Sequence, residues 1–205
     1  MSTRSPAMSV EDRRCQLEAA AVSVLRERGL AATTREIAAA ADVAEGTIFR
    51  VFDCKDDLVQ AALVRAFDPA PLLRQISDID PDAPLRVKVL ALVTAHQSHL
   101  IGLFELMSAV GMVRPPEQHH DKHAQGSRHE QLHTRMLELI TPDTDQLRVP
   151  PEQLLRVLRM LTFSGSNPHI SHGELLTPDD ITGIVLDGAL GTTSPARAES
   201  GESAC

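Results

Sequence analysis

ATTREIAAAADVAEGTIFRVFDCKDDL, residues 32–58, is the stretch on which the fold of this chain turns. Thr33 followed three positions later by Glu36 is a capping box, which opens a helix. Ile37 and the alanines through Ala41 continue it with strong helix formers. Asp42-Val43 breaks the run, a third short helix is expected from about Ala44 to Val51, and a fourth from about Lys55 to Phe67. Ile37, Val43, Ile48 and Phe52 are spaced to form one small shared core. Two short helices around a tight turn, braced by longer neighbours, are the layout of a helix-turn-helix DNA reader. Upstream, residues 11–28 place Leu17, Ala21, Val24 and Leu25 on one helical stripe. Gly29 can stop that helix, with Leu30 as the apolar contact of the stop.

The polar residues of the stretch suit the same reading. Thr34 and Arg35 offer a hydroxyl, a cation and free backbone N–H groups to phosphate at a helix start. Ala44-Glu45-Gly46-Thr47 are small enough at the leading end of the third helix to let its backbone enter a major groove. Thr47 and Arg50 then face outward, and an arginine can read guanine by a bidentate pair. Lys55, opening the fourth helix, suits a phosphate clamp.

Thr-Thr-Arg-x-Ile-Ala from Thr33, Val43-x-x-Gly46-Thr47-Ile48-Phe49, and Phe52-x-x-Lys55-x-x-Leu58 together resemble the DNA-binding domain of the TetR family of bacterial repressors. The resemblance covers about residues 10–67, a third of the chain. It implies an all-α fold with a C-terminal domain that binds a small-molecule effector, and a homodimer that sets two readers on a palindromic double-stranded DNA operator. By residue match, Thr34 and Lys55 would contact phosphate, with Arg35, Thr47 and Arg50 at or near base edges. Phe49 stands where the family usually has Tyr, and Val51 where it often has an aromatic or His. Each departure removes a polar contact.

The remainder reads as helix, at roughly 70–78, 83–99, 101–112, 123–140, 151–164 and 178–190, with the breaks at 115–116, 142 and 150–151 marked by proline. The expected architecture is thus all-α with about nine or ten helices: a reader domain over 1–67 (ordered from about 10), an effector-binding and dimerisation domain over 68–190, and a disordered tail over 191–205. The formal net charge is −8. Residues 1–67 hold nine Lys or Arg against ten Asp or Glu, so the acidic excess falls mainly beyond them. Binding to DNA depends on the phosphates neutralised at the contact face, and total charge does not exclude it. With no Trp, no Tyr and five Phe, the chain lacks the stacking platform of a single-strand binder. Three scattered cysteines, no signal-like N-terminus and no apolar run near 20 residues predict a cytoplasmic protein with free thiols and no membrane partner. No cofactor and no enzymatic activity are expected.

Nine histidines invite other readings. His129-Glu130-Gln131-Leu132-His133 has the H-E-x-x-H spacing at which a helical His pair binds zinc and the glutamate activates water. Met136 and Leu139, however, stand where a metzincin would have its glycine and third histidine. A zinc hydrolase, or a metal sensor on the same scaffold, is therefore the alternative function. His96 and His99 lie on a helix otherwise rich in Leu, Val and Ala. A buried histidine there would either hydrogen-bond a ligand or satisfy a helix carbonyl. His96, His99, Leu103, Phe104 and Met107 are the candidate lining of an aliphatic pocket for an apolar effector. Leu154, Val157, Leu158 and Leu161, with Ile181, Ile184, Val185 and Gly188, make two apolar stripes suited to a four-helix dimer interface. Cys54, beside Lys55, is either a redox-sensitive thiol or a Ser-like cap.

Overall fold

The computed structural model describes residues 9–112 and 122–188, with side chains from 128 onward in the second stretch. The expected tail over 191–205 and the break at 115–116 lie outside the described residues. Every described element is helical. Helix α1 (Val10–Arg28) starts at Ser9, whose hydroxyl accepts from the Asp12 N–H at 3.0 Å, and buries the predicted stripe Leu17, Ala21, Val24 and Leu25. Gly29 stops it at φ 58°, but Leu30 does not fold back over the stop: it is 59% exposed. The chain instead enters a 3-10 turn over Gly29–Ala31 and buries Ala32. Gly29 lies so close to the Ala109 carbonyl oxygen that a Cβ would overlap it.

Helix α2 (Thr34–Ala40) carries the full capping box, with Thr33 and Glu36 each bonding the other's backbone N–H. The segment after the turn, Glu45–Arg50, is 3-10 rather than α-helical. Helix α3 (Lys55–Ala66) follows. Cys54 is its exposed N-cap and makes no side-chain cap hydrogen bond, so it does not act as a serine would. Ile37, Ile48 and Phe52 are buried and Val43 packs beside them, in a core shared with α1 and α3. The Gln16 amide donates to the Ala41 carbonyl at 2.8 Å, and the Arg14 guanidinium lies 4.6 Å from the centre of the Phe52 ring. Both contacts seal this head from the α1 side.

Helix α4 (Ala70–Ser77) leads to α5 (Leu85–Ala109), one continuous helix where two were expected. At 25 residues it is about 38 Å long. It is also long and apolar enough to meet the length-and-composition criterion for crossing a membrane, which the sequence reading had denied any segment. Its contacts are those of a central helix, with Val89, Leu92, Val93, Leu100 and Leu106 buried. Helices α6 (Lys122–Ile140), α7 (Pro151–Ser166) and α8 (Pro178–Asp187) complete the body. The last is opened by a second capping box, Thr177 with Asp180. A second core joins α4, α5, α6, α7 and α8 through residues such as Ile76, Leu92, Met136, Leu155 and Ile181. The cores do not divide where the sequence suggested. Leu106 and Val110, at the end of α5, belong to the head's core.

Candidate nucleic-acid interface and ligand cavity

The residues expected to meet DNA come from three places that the head's core brings together: the start of α2, the 3-10 segment and the start of α3. The Thr34 hydroxyl donates to the Glu45 carboxylate at 2.5 Å, joining the first two. The Lys55 ammonium donates to the Leu30 carbonyl at 3.0 Å, tying α3 to the turn before α2. Both polar groups are thus already engaged within the head, which fixes their positions. Arg35 and Arg50 are exposed, and neither forms an ion pair among the described residues. Thr47 is half-buried, and Phe49 presents an exposed ring. Gly46 has open space where a Cβ would stand. Neither packing nor a positive φ calls for glycine there.

The second site is a cavity of about 980 Å³ in the body. Of the five residues expected to line it, His96, His99 and Leu103 do so. Phe104 and Met107 do not. Phe104 instead supports the wall, its ring meeting the lining ring of Phe163 edge-on at 5.2 Å and 78°. The five residues expected from the sequence lie on α5 alone. The structure adds His129 and His133 from α6 and Arg156, Arg159 and Phe163 from α7. The available signal was the α7 spacing: Glu152, Arg156, Arg159 and Phe163 recur every three or four residues. Phe67 and Phe163 both line the space, so the wall is not purely aliphatic.

Burial first, then the charge of Arg159 and then His99, push the His96 imidazole down to about 4, so it is neutral at physiological pH. His99 is lowered too, by burial and then by the charges of His129 and Arg26, against an opposing pull from Asp68. The His96 Nδ1 is buried and finds no hydrogen-bond partner among the described residues. The carbonyl that might have satisfied it is absent there. The Arg159 guanidinium approaches the His133 Nδ1 at 3.4 Å. Among the described residues no three potential metal ligands converge, and a guanidinium against His133 opposes a dication. The H-E-x-x-H spacing therefore gains no support.

The apolar stripes of α7 and α8 divide. Leu154, Leu158 and Ile181 are sealed in the protein's own core, so these three face inward and not toward a partner. Leu161 and Val185 are partly buried against that core, and Gly188 is exposed at the end of α8. Val157 and Ile184 remain 46% and 47% exposed.

The structure thus joins a helix-turn-helix head to a helical body that holds a cavity. Residues 17–62 match the family described as bacterial regulatory proteins, tetR family. That stretch of the head is thus similar to the DNA-binding domain of the family. Among curated proteins none matches the sequence. Solved structures share the fold along most of the chain. A TetR transcriptional regulator from Streptomyces coelicolor is 21% identical with a TM-score of 0.53, the match covering 88% of this chain and 99% of that one. A transcriptional regulator from Rhodococcus sp. Rha1 is 17% identical with a TM-score of 0.52, covering 85% and 92%.

Proposed function

We propose that the protein is a cytoplasmic, ligand-responsive repressor that binds a palindromic operator as a homodimer and is released by a small-molecule effector. Its reader would occupy residues 1–67 and its effector-binding and dimerisation body residues 68–190. The observation that carries the proposal is the course of α5. Its middle lines the cavity with His96, His99 and Leu103, and its end seats Leu106 and Val110 in the head's core. A ligand that shifts α5 must therefore strain the head or move it. The cavity also touches Phe67 and Pro69, at the joint between α3 and α4. A coupling of about 1–3 kcal/mol changes DNA affinity roughly 5- to 150-fold.

At the reader, Arg35 and Arg50 supply cations, Thr34 and Lys55 flank the phosphates, and Glu45, Gly46, Thr47 and Phe49 border the groove. Two such heads must sit about 34–36 Å apart to meet successive major grooves. Selection of bound duplexes from a random pool tests this directly, and a twofold-symmetric consensus is the expected result. Against that consensus, Arg50→Ala should weaken specific binding by about 1–3 kcal/mol and relax the preference at one base pair per half-site. Unchanged affinity in a gel-shift titration would remove Arg50 from the interface.

A further inference from the structure

Resting on the effector reading above, we infer that the cavity takes an amphipathic acid, with the acid's anionic head received where Arg159, His133 and His96 meet and its apolar tail along Leu72, Leu100, Leu103 and Phe163. An apolar effector was the expectation from composition. Three features of the polar lining alter it.

First, the His96 side chain is only 9% exposed, lines the cavity and leaves its Nδ1 without a partner among the described residues. A buried polar atom left so costs stability unless something completes it. A neutral imidazole protonated at Nδ1 is a hydrogen-bond donor, and burial holds this one neutral. In that tautomer it offers a donor to an acceptor bound in the cavity. Second, Arg159 lies close enough for its charge to disfavour a proton on His96. Its own contact is the His133 ring nitrogen at 3.4 Å, which can orient the guanidinium but cannot neutralise it. Among the described residues Arg159 and Arg156, both lining the cavity, make no ion pair. Third, Glu152 is the one carboxylate in the lining among the described residues. It precedes Arg159 by seven residues on α7, about 10 Å along the axis, and so sits next to Arg156 and away from the His96 corner. Among the described residues that corner thus has donors and a cation but no anion, while Leu72, Leu100, Leu103, Leu132 and Phe163 supply an apolar stretch of the wall.

A carboxylate, phosphate or sulfonate head shares this chemistry, and the probes separate them. Calorimetric titration of the full-length protein would use decanoic acid, decyl phosphate, decanol and decyltrimethylammonium. The acid or the phosphate should bind about ten- to a hundredfold more tightly than decanol, the gain expected of a charge-assisted hydrogen bond. The cation should bind more weakly than decanol. In Arg159→Gln the advantage of the anion over decanol should fall to less than about threefold, and Arg159→Lys should restore part of it. If decanol binds as tightly as both anions, the inference about the head group fails and the cavity remains an effector site. If none of the four probes binds, the inference and the effector reading fail together.

Discussion

His96 sets a pH dependence that belongs to a single side chain. In the unfolded chain it titrates near 6.5, and in the fold near 4, because burial and the neighbouring charge of Arg159 disfavour its proton. Between those values the unfolded state takes up a proton that the folded state refuses, so acidification favours unfolding. The penalty is absent above about pH 6.5, grows as the pH falls and is complete near pH 4. It amounts to roughly 3 kcal/mol at about 1.4 kcal/mol per pKa unit. His99 acts in the same direction. His96→Leu should therefore lose less of its melting temperature between pH 7 and pH 5 than the wild type, followed by far-ultraviolet circular dichroism. Parallel losses in the two proteins would show that His96 is not held neutral. The sequence marked His96 as a residue of interest and left two partners open for it. Only the packing of α5 against its neighbours shows that no carbonyl among the described residues reaches Nδ1.

At the scale of elements, the capping box at Thr33, the stripe on α1 and the core of Ile37, Ile48 and Phe52 were legible because each depends on contacts a few residues apart. The continuity of α5 was not. His96, Gln97, Ser98 and His99 interrupt its apolar run, yet a helix surrounded by others can carry polar residues where its neighbours accept them. The Gln97 amide does so by donating to the Leu176 carbonyl at 2.7 Å. Gly29 belongs to the same scale. It was read as a helix stop, but the stop is also the point where α1 crosses the end of α5. Gly29→Ala would meet both a positive φ and the Ala109 carbonyl, and should cost roughly 2–4 kcal/mol, or about 5–15 °C in melting temperature. Gly46→Ala, with open space at its Cβ and no positive φ, should melt within about 2 °C of wild type. Equal losses in the two variants would contradict the close approach of α1 to α5.

For the whole molecule, the division of the α7 and α8 stripes bears on assembly. A single chain has already used Leu154, Leu158 and Ile181 to close its own core, so a second copy can be held only by what remains outside. Val157 and Ile184 are the large apolar side chains among the expected interface residues that remain exposed. On the proposed dimer, the wild type should sediment as a dimer and a protein carrying both Val157→Glu and Ile184→Glu as a monomer, with an unchanged circular dichroism spectrum. A double variant that remains dimeric would move the interface elsewhere. The cavity is likewise a property of the whole, since residues from the α3–α4 joint to α7 must converge to enclose it.

What the sequence determined by itself was the head. Capping, helical periodicity and the spacing of Thr34, Arg35, Thr47, Arg50 and Lys55 are local, and a contiguous stretch of chain contains all the information they need. The tertiary structure decided which face of α7 is inside, how far α5 runs, and which charged side chains stand around the cavity without an opposite charge among the described residues. These depend on helices distant in sequence coming within a few ångströms of one another. Burial and electrostatic pairing are set by that meeting, and no periodicity along a single helix encodes it.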